Sequence, residues 1–101
     1  MIVIKNRHTG AIMYQFSREN FDGAHLGGVN FTEADLSNMV LSECDLSYAK
    51  FIGSDLRGAV FSNTNLRGAD FTCADLAGVQ IRYCNLDHAK FGSACLTVVG
   101  Q

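Results

Sequence analysis

The chain has 101 residues and a net charge of −2, from ten acidic and eight basic side chains. That balance excludes a basic nucleic-acid binder and a strongly acidic partner surface, and the length suits one domain. Almost half the residues are hydrophobic and there is no Trp or Pro, yet no apolar run is long enough for a membrane span or a signal peptide, so a cytoplasmic location is expected.

The first predicted element is a β-hairpin. Ile2-Val3-Ile4-Lys5 and Ala11-Ile12-Met13-Tyr14 read as short strands around the polar turn Asn6-Arg7-His8-Thr9-Gly10, with Gly at its close. Residues 1–13 are therefore expected to form an N-terminal cap that shields the open end of the fold built by the rest of the chain and covers the Phe16 and Phe21 rings.

From Tyr14 to Val98 one rule governs the chain. All seven Phe and all nine Leu fall at positions of the form 5n+1, from Phe16 to Leu96, with Ile81 at the one position they leave. A period of five matches neither the helix period nor strand alternation, but it suits a chain that turns a corner every five residues. Sorted by twenty, Leu26, Leu46, Leu66 and Leu86 form one column, and Phe31, Phe51, Phe71 and Phe91 another. This gives four sides per coil, with residues twenty apart stacked roughly 4.8 Å from each other, as parallel strands are. The residue two before each bulky one is usually small, as at Ala34, Ala49, Ala59 and Ala69, with Cys44, Ser54, Thr64 and Cys84 as substitutes. The residue just before it is often Asp or Asn, as at Asn20, Asn30, Asp35, Asp45, Asp55, Asn65, Asp70, Asp75 and Asn85. These short polar side chains can hold a corner by bonding nearby backbone.

The units Ala34-Asp35-Leu36, Ala69-Asp70-Phe71 and Ala74-Asp75-Leu76, and more loosely Cys44-Asp45-Leu46 and Cys84-Asn85-Leu86, resemble the pentapeptide-repeat family. The resemblance implies an all-β fold, a right-handed quadrilateral parallel β-helix of about four coils spanning residues 14–98. Tyr14 and Glu19 depart from the pattern by occupying the small inward place. Residues 99–101 form a tail in which no cap is visible.

No catalytic or cofactor constellation emerges. Cys44, Cys73, Cys84 and Cys95 have no close pair, and Cys44 and Cys84 share an inward column about 10 Å apart, beyond disulfide reach. They read as core fillers, and Cys73 and Cys95 as outward residues. His8, His25 and His88 are too far apart to act together, and no Ser has a His and an Asp in neighbouring columns. The expectation is a non-enzymatic scaffold or protein-binding module with no cofactor, no metal, no direct nucleic-acid binding and no membrane contact.

Candidate interaction residues are the outward apolar ones, Val40, Val60, Ile52, Tyr48 and Tyr83, together with Val98 and Val99, through which the last coil is expected to pair with a second copy. A different reading starts from Asp35, Asp55 and Asp75, a carboxylate ladder at coil spacing. Some proteins that resemble this chain protect or inhibit DNA gyrase by imitating the duplex, and the ladder is the part of this chain that could do so. The simpler expectation is that each Asp bonds its own corner.

Overall fold

The computed structural model describes residues 1–95. It is all-β, with no helix among the described residues and five short strands: β1 (Ile2–Asn6), β2 (Ile12–Phe16), β3 (Ala34–Asp35), β4 (Val60–Ser62) and β5 (Gln80–Arg82).

β1 and β2 form the expected antiparallel hairpin, in register Ile2↔Phe16, Val3↔Gln15 and Ile4↔Tyr14, with an irregularity before Lys5↔Ile12 that leaves Met13 extra. The connecting turn is held by the Asn6 side chain, whose Oδ1 accepts the N–H groups of His8 and Thr9 at 2.8 and 3.0 Å. Gly10 completes it at φ +74°, where a side chain would be strained. The hairpin docks by strand pairing as well as by its apolar face: Lys5 and Asn6 pair antiparallel with Asp35 and Ala34. Ile4 is fully buried in the core.

β2 runs past the expected boundary at residue 13 and includes Tyr14 and Phe16. Phe16 is therefore part of the hairpin, drawn there by its pairing with Ile2, and meets Phe21 edge-on at 5.3 Å. Tyr14, in the same strand, donates its hydroxyl to the Asn30 carbonyl at 2.8 Å.

Beyond the hairpin the chain pairs with itself, in parallel, at a spacing of twenty residues. The bridges fall in four columns: His25, Asp45, Asn65, Asn85; Asn30, Lys50, Asp70, Lys90; Asp35, Asp55, Asp75, Cys95; and Val40, Val60, Gln80. Most rungs are one residue wide, which is why so little of the chain counts as extended strand.

The corner that repeats between rungs has a local cause. Where an Asx precedes the bulky residue, its side chain accepts the backbone N–H two residues on, from Asn20 with Asp22 to Asn85 with Asp87. Two residues after each bulky one, φ is positive at every step from Gly23 to Ser93. The N–H of the next, small residue then returns to the carbonyl of the bulky one, as from Ala34 to Phe31 and from Ala69 to Leu66, closing a type II turn.

One side departs from this beyond Ala24, and the sequence marks it. At Cys44, Thr64 and Cys84 that backbone bond is not formed, and side chains act instead. Thr64 Oγ1 donates to the Leu41 carbonyl at 2.7 Å, while the Cys44 and Cys84 thiols point at the carbonyls of Leu41 and Arg82.

The core is the stacked interior. Phe51, Phe71 and Phe91 lie nearly parallel, with centroids 4.9 and 5.1 Å apart. Phe31 is tilted by 40° from Phe51, because Tyr14 meets its ring edge-on at 5.4 Å from the hairpin side. Full burial runs through Leu36, Leu46, Leu56, Leu66 and Leu76.

Candidate interaction surface

The corners decide which side chains face out. The residue at positive φ projects sideways and leans over its counterpart one circuit on. Asn38 lies over Gly58, Glu33 over Gly53 and Tyr48 over Gly68, each in the space a β-carbon would need. Tyr48 is thus exposed but seated, and its hydroxyl accepts a bond from Arg67 Nε at 3.3 Å. In the column without such a glycine, Asn63 Nδ2 donates to Glu43 Oε1 at 3.2 Å.

The expected apolar candidates do not form one patch. Val40, 55% exposed, and half-buried Val60 share a column. Ile52 is half-buried in a different column, and Tyr83, 87% exposed, stands on another corner. Val98 and Val99 lie outside the described residues. What the sequence reading missed is the hairpin's share: Met1, Ile2 and Val3 line, with Glu19, Phe21, Met39 and Val40, an open cavity of about 350 Å³. The alternation of Val3 between Ile2 and Ile4 was the available signal, because it turns Val3 to the outer face.

The Asp ladder is not a uniform acidic stripe. Asp35, Asp55 and Asp75 each accept the N–H two residues on. Asp55 is 5% exposed and takes both arms of Arg57, Nε at 2.9 Å and Nη2 at 2.7 Å. Arg57 also stands 3.8 Å from Asp75. Those Arg57 hydrogen bonds hold the Asp55 carboxyl below the usual carboxylate range against the opposing effect of burial. Hydroxyls do the same elsewhere: Ser47 lowers Asp45 and Thr72 lowers Asp70.

At the hairpin turn, His8 Nε2 meets Glu33 Oε2 at 2.6 Å and Arg7 Nη1 donates to the Gly53 carbonyl at 3.0 Å, tying the hairpin to the first corners. Cys44 is buried, Cys84 half-buried, and Cys73 and Cys95 exposed, all as free thiols. Among the described residues no group of three or more His, Cys, Asp or Glu is placed to hold a metal, and no helix is long and apolar enough to cross a membrane.

A chain that turns every five residues through a left-handed residue, with an Asx bond at many of the corners, and pairs in parallel at a fixed spacing, defines a β-solenoid. Residues 14–91 match the family model described as "Pentapeptide repeat region", and the chain belongs to that family. Its structural relatives are of the same kind. A pentapeptide repeat protein from the Arabidopsis thaliana thylakoid lumen superimposes with a TM-score of 0.70 at 29% identity, over 76% of this chain and 55% of its own. One from Nostoc PCC 7120 gives 0.67 at 36% identity, over 75% and 63%. Rfr23 from the cyanobacterium Cyanothece 51142 gives 0.53 at 28%, over 76% and 57%. The present chain thus spans less than two thirds of the length of these structures. No curated protein matches it significantly.

Proposed function

We propose that this chain is a non-enzymatic interaction module that binds a protein partner in the cytoplasm, on a framework that is a right-handed, four-sided β-helix of about four coils. The twenty-residue pairing in four columns supports that framework. The observation that carries the binding role is the cluster of apolar side chains left in solvent at one end, where Val40 and Val3 face outward around an apolar cavity. A folded chain leaves such side chains together at a surface most readily where something docks.

The alternative role as a DNA mimic would need Asp35, Asp55 and Asp75 to present free charge. Arg57 and the local corner bonds favour the structural role for them instead.

Affinity capture from a host lysate tests the proposal. The wild-type chain is expected to retain a discrete partner that a Val3→Lys, Val40→Lys variant of unchanged thermal midpoint loses. Capture of nothing, or of the same set by both baits, would overturn it.

A further inference from the structure

On three sides of the solenoid the parallel ladder begins with the first circuit. Leu26, Phe31 and Leu36 donate their N–H groups to the carbonyls of Asp45, Lys50 and Asp55. On the fourth side the corresponding bonds would run from Phe21 N–H to the Val40 carbonyl and from Val40 N–H to the Glu19 carbonyl. Neither is formed, and Asn20 and Val40 do not bridge.

The other edge of this row is intact. Val60 donates to the Met39 carbonyl and Leu41 to that of Val60, at 2.9 and 2.7 Å. In a parallel ladder one residue's N–H and C=O face the same neighbour. The flanking groups Met39 C=O and Leu41 N–H serve Val60, so those of Val40 face the opposite way, into the gap. The hairpin does not fill it, because β1 pairs with Asp35 and Ala34 in another column. Arg18 bonds the carbonyls of Asn20 and Asp22 at 2.6 and 2.7 Å, holding the upper wall in place. The cavity of about 350 Å³ beside the hairpin occupies this gap, between Phe21 on one wall and Met39 and Val40 on the other.

The geometry points to this interrupted rung as a binding site for an extended, apolar peptide segment that adds as a strand along Val40. This deepens the reading of the chain as an interaction module and rests on it. The peptide carbonyl accepts the Val40 N–H and a peptide N–H donates to the Val40 carbonyl, while an apolar side chain enters between Phe21 and Met39. The backbone pair is what selects the class of occupant. A purely apolar ligand would bury a donor and an acceptor without partners, which is unfavourable, whereas a strand brings one of each at the required spacing. Glu19 at the rim disfavours an acidic residue beside the inserted side chain.

The test uses random peptides displayed on phage and selected on the whole chain, with the enriched peptide then synthesised and its affinity measured by calorimetry. The expected sequence alternates apolar residues without acidic ones. Val40→Pro removes an N–H that bonds to nothing among the described residues, and is expected to weaken binding about tenfold with the thermal midpoint preserved. An N-methyl scan of the peptide should show a comparable loss at one amide, a result that cannot arise from misfolding of the protein. Failure to enrich any peptide, or equal affinity for wild type and Val40→Pro, would overturn the inference. So would self-association of the wild type that Val40→Pro abolishes, since the occupant would then be a second copy. A lysate partner retained by Val40→Pro but lost with Val3→Lys, Val40→Lys would sink this inference and leave the interaction module standing.

Discussion

The ring of Tyr48 lies over the α-carbon of Gly68, one circuit further along, so closely that a β-carbon there would collide with it. Both residues have positive φ, 60° and 67°, and the glycine makes room for the tyrosine. Gly68→Ala should therefore cost about 1–2 kcal/mol for the left-handed backbone, plus the displacement of the ring. Gly78→Ala isolates the backbone part, because among the described residues its β-carbon would meet only the Gly58 backbone, at 3.7 Å. Urea unfolding is expected to rank Gly68→Ala as the more damaging, with Tyr48→Ala in the same chain removing the difference. Equal midpoints for the two glycine variants would contradict the packing.

Phe51 is buried in the ring column, 4.9 Å from Phe71 at an interplanar angle of 4°. Phe51→Ala removes a ring from the middle of the stack and is expected to cost about 3–5 kcal/mol. An unchanged thermal midpoint would refute the column.

Asn offers the same acceptor as Asp to the N–H two residues on, as Asn65 and Asn85 already do. Asp35→Asn and Asp75→Asn should stay within about 0.5 kcal/mol of wild type, and the Ala variants should each lose about 1 kcal/mol. If Asn is as damaging as Ala, charge rather than the corner bond is what these positions supply.

The lowered carboxyls of Asp45, Asp55 and Asp70 set the acid limb of stability. A carboxyl whose folded pKa is depressed contributes its full stability above the unfolded value, about 4, and loses it as pH falls through the folded one. The urea midpoint should be level from neutrality to about pH 5 and then decline. In Asp55→Asn, which also loses the Arg57 contacts, the starting value should be lower and the decline shallower. A parallel decline in wild type and variant would argue against Asp55 as a contributor.

Burial pushes the Cys44 thiol up to about 11, and Cys73 and Cys95 are exposed. Brief alkylation of the native chain near pH 8 should mark Cys73 and Cys95 and spare Cys44, which reacts after unfolding in urea. Mass spectrometry of the digested chain reads this directly. Labelling of Cys44 at the rate of Cys73 would mean that its side of the solenoid opens readily.

The period, the stacking columns and the corner chemistry were legible in the amino-acid sequence because each is a local matter. An Asx bond spans two residues and a type II turn four, so repetition of Phe31, Phe51 and Phe71 at one phase carries the whole arrangement. Contacts between circuits and at the cap were not legible, because they depend on how rows twenty residues apart face each other. Tertiary structure alone drew Phe16 into β2, set Tyr48 on Gly68 and closed Arg57 around Asp55. It also left Asn20 without the rung to Val40 that would match those His25, Asn30 and Asp35 each make with the next circuit. The period of five runs unbroken through Phe21 and Leu41, so it does not mark the gap, which lies where Arg18 and the hairpin flank the first circuit.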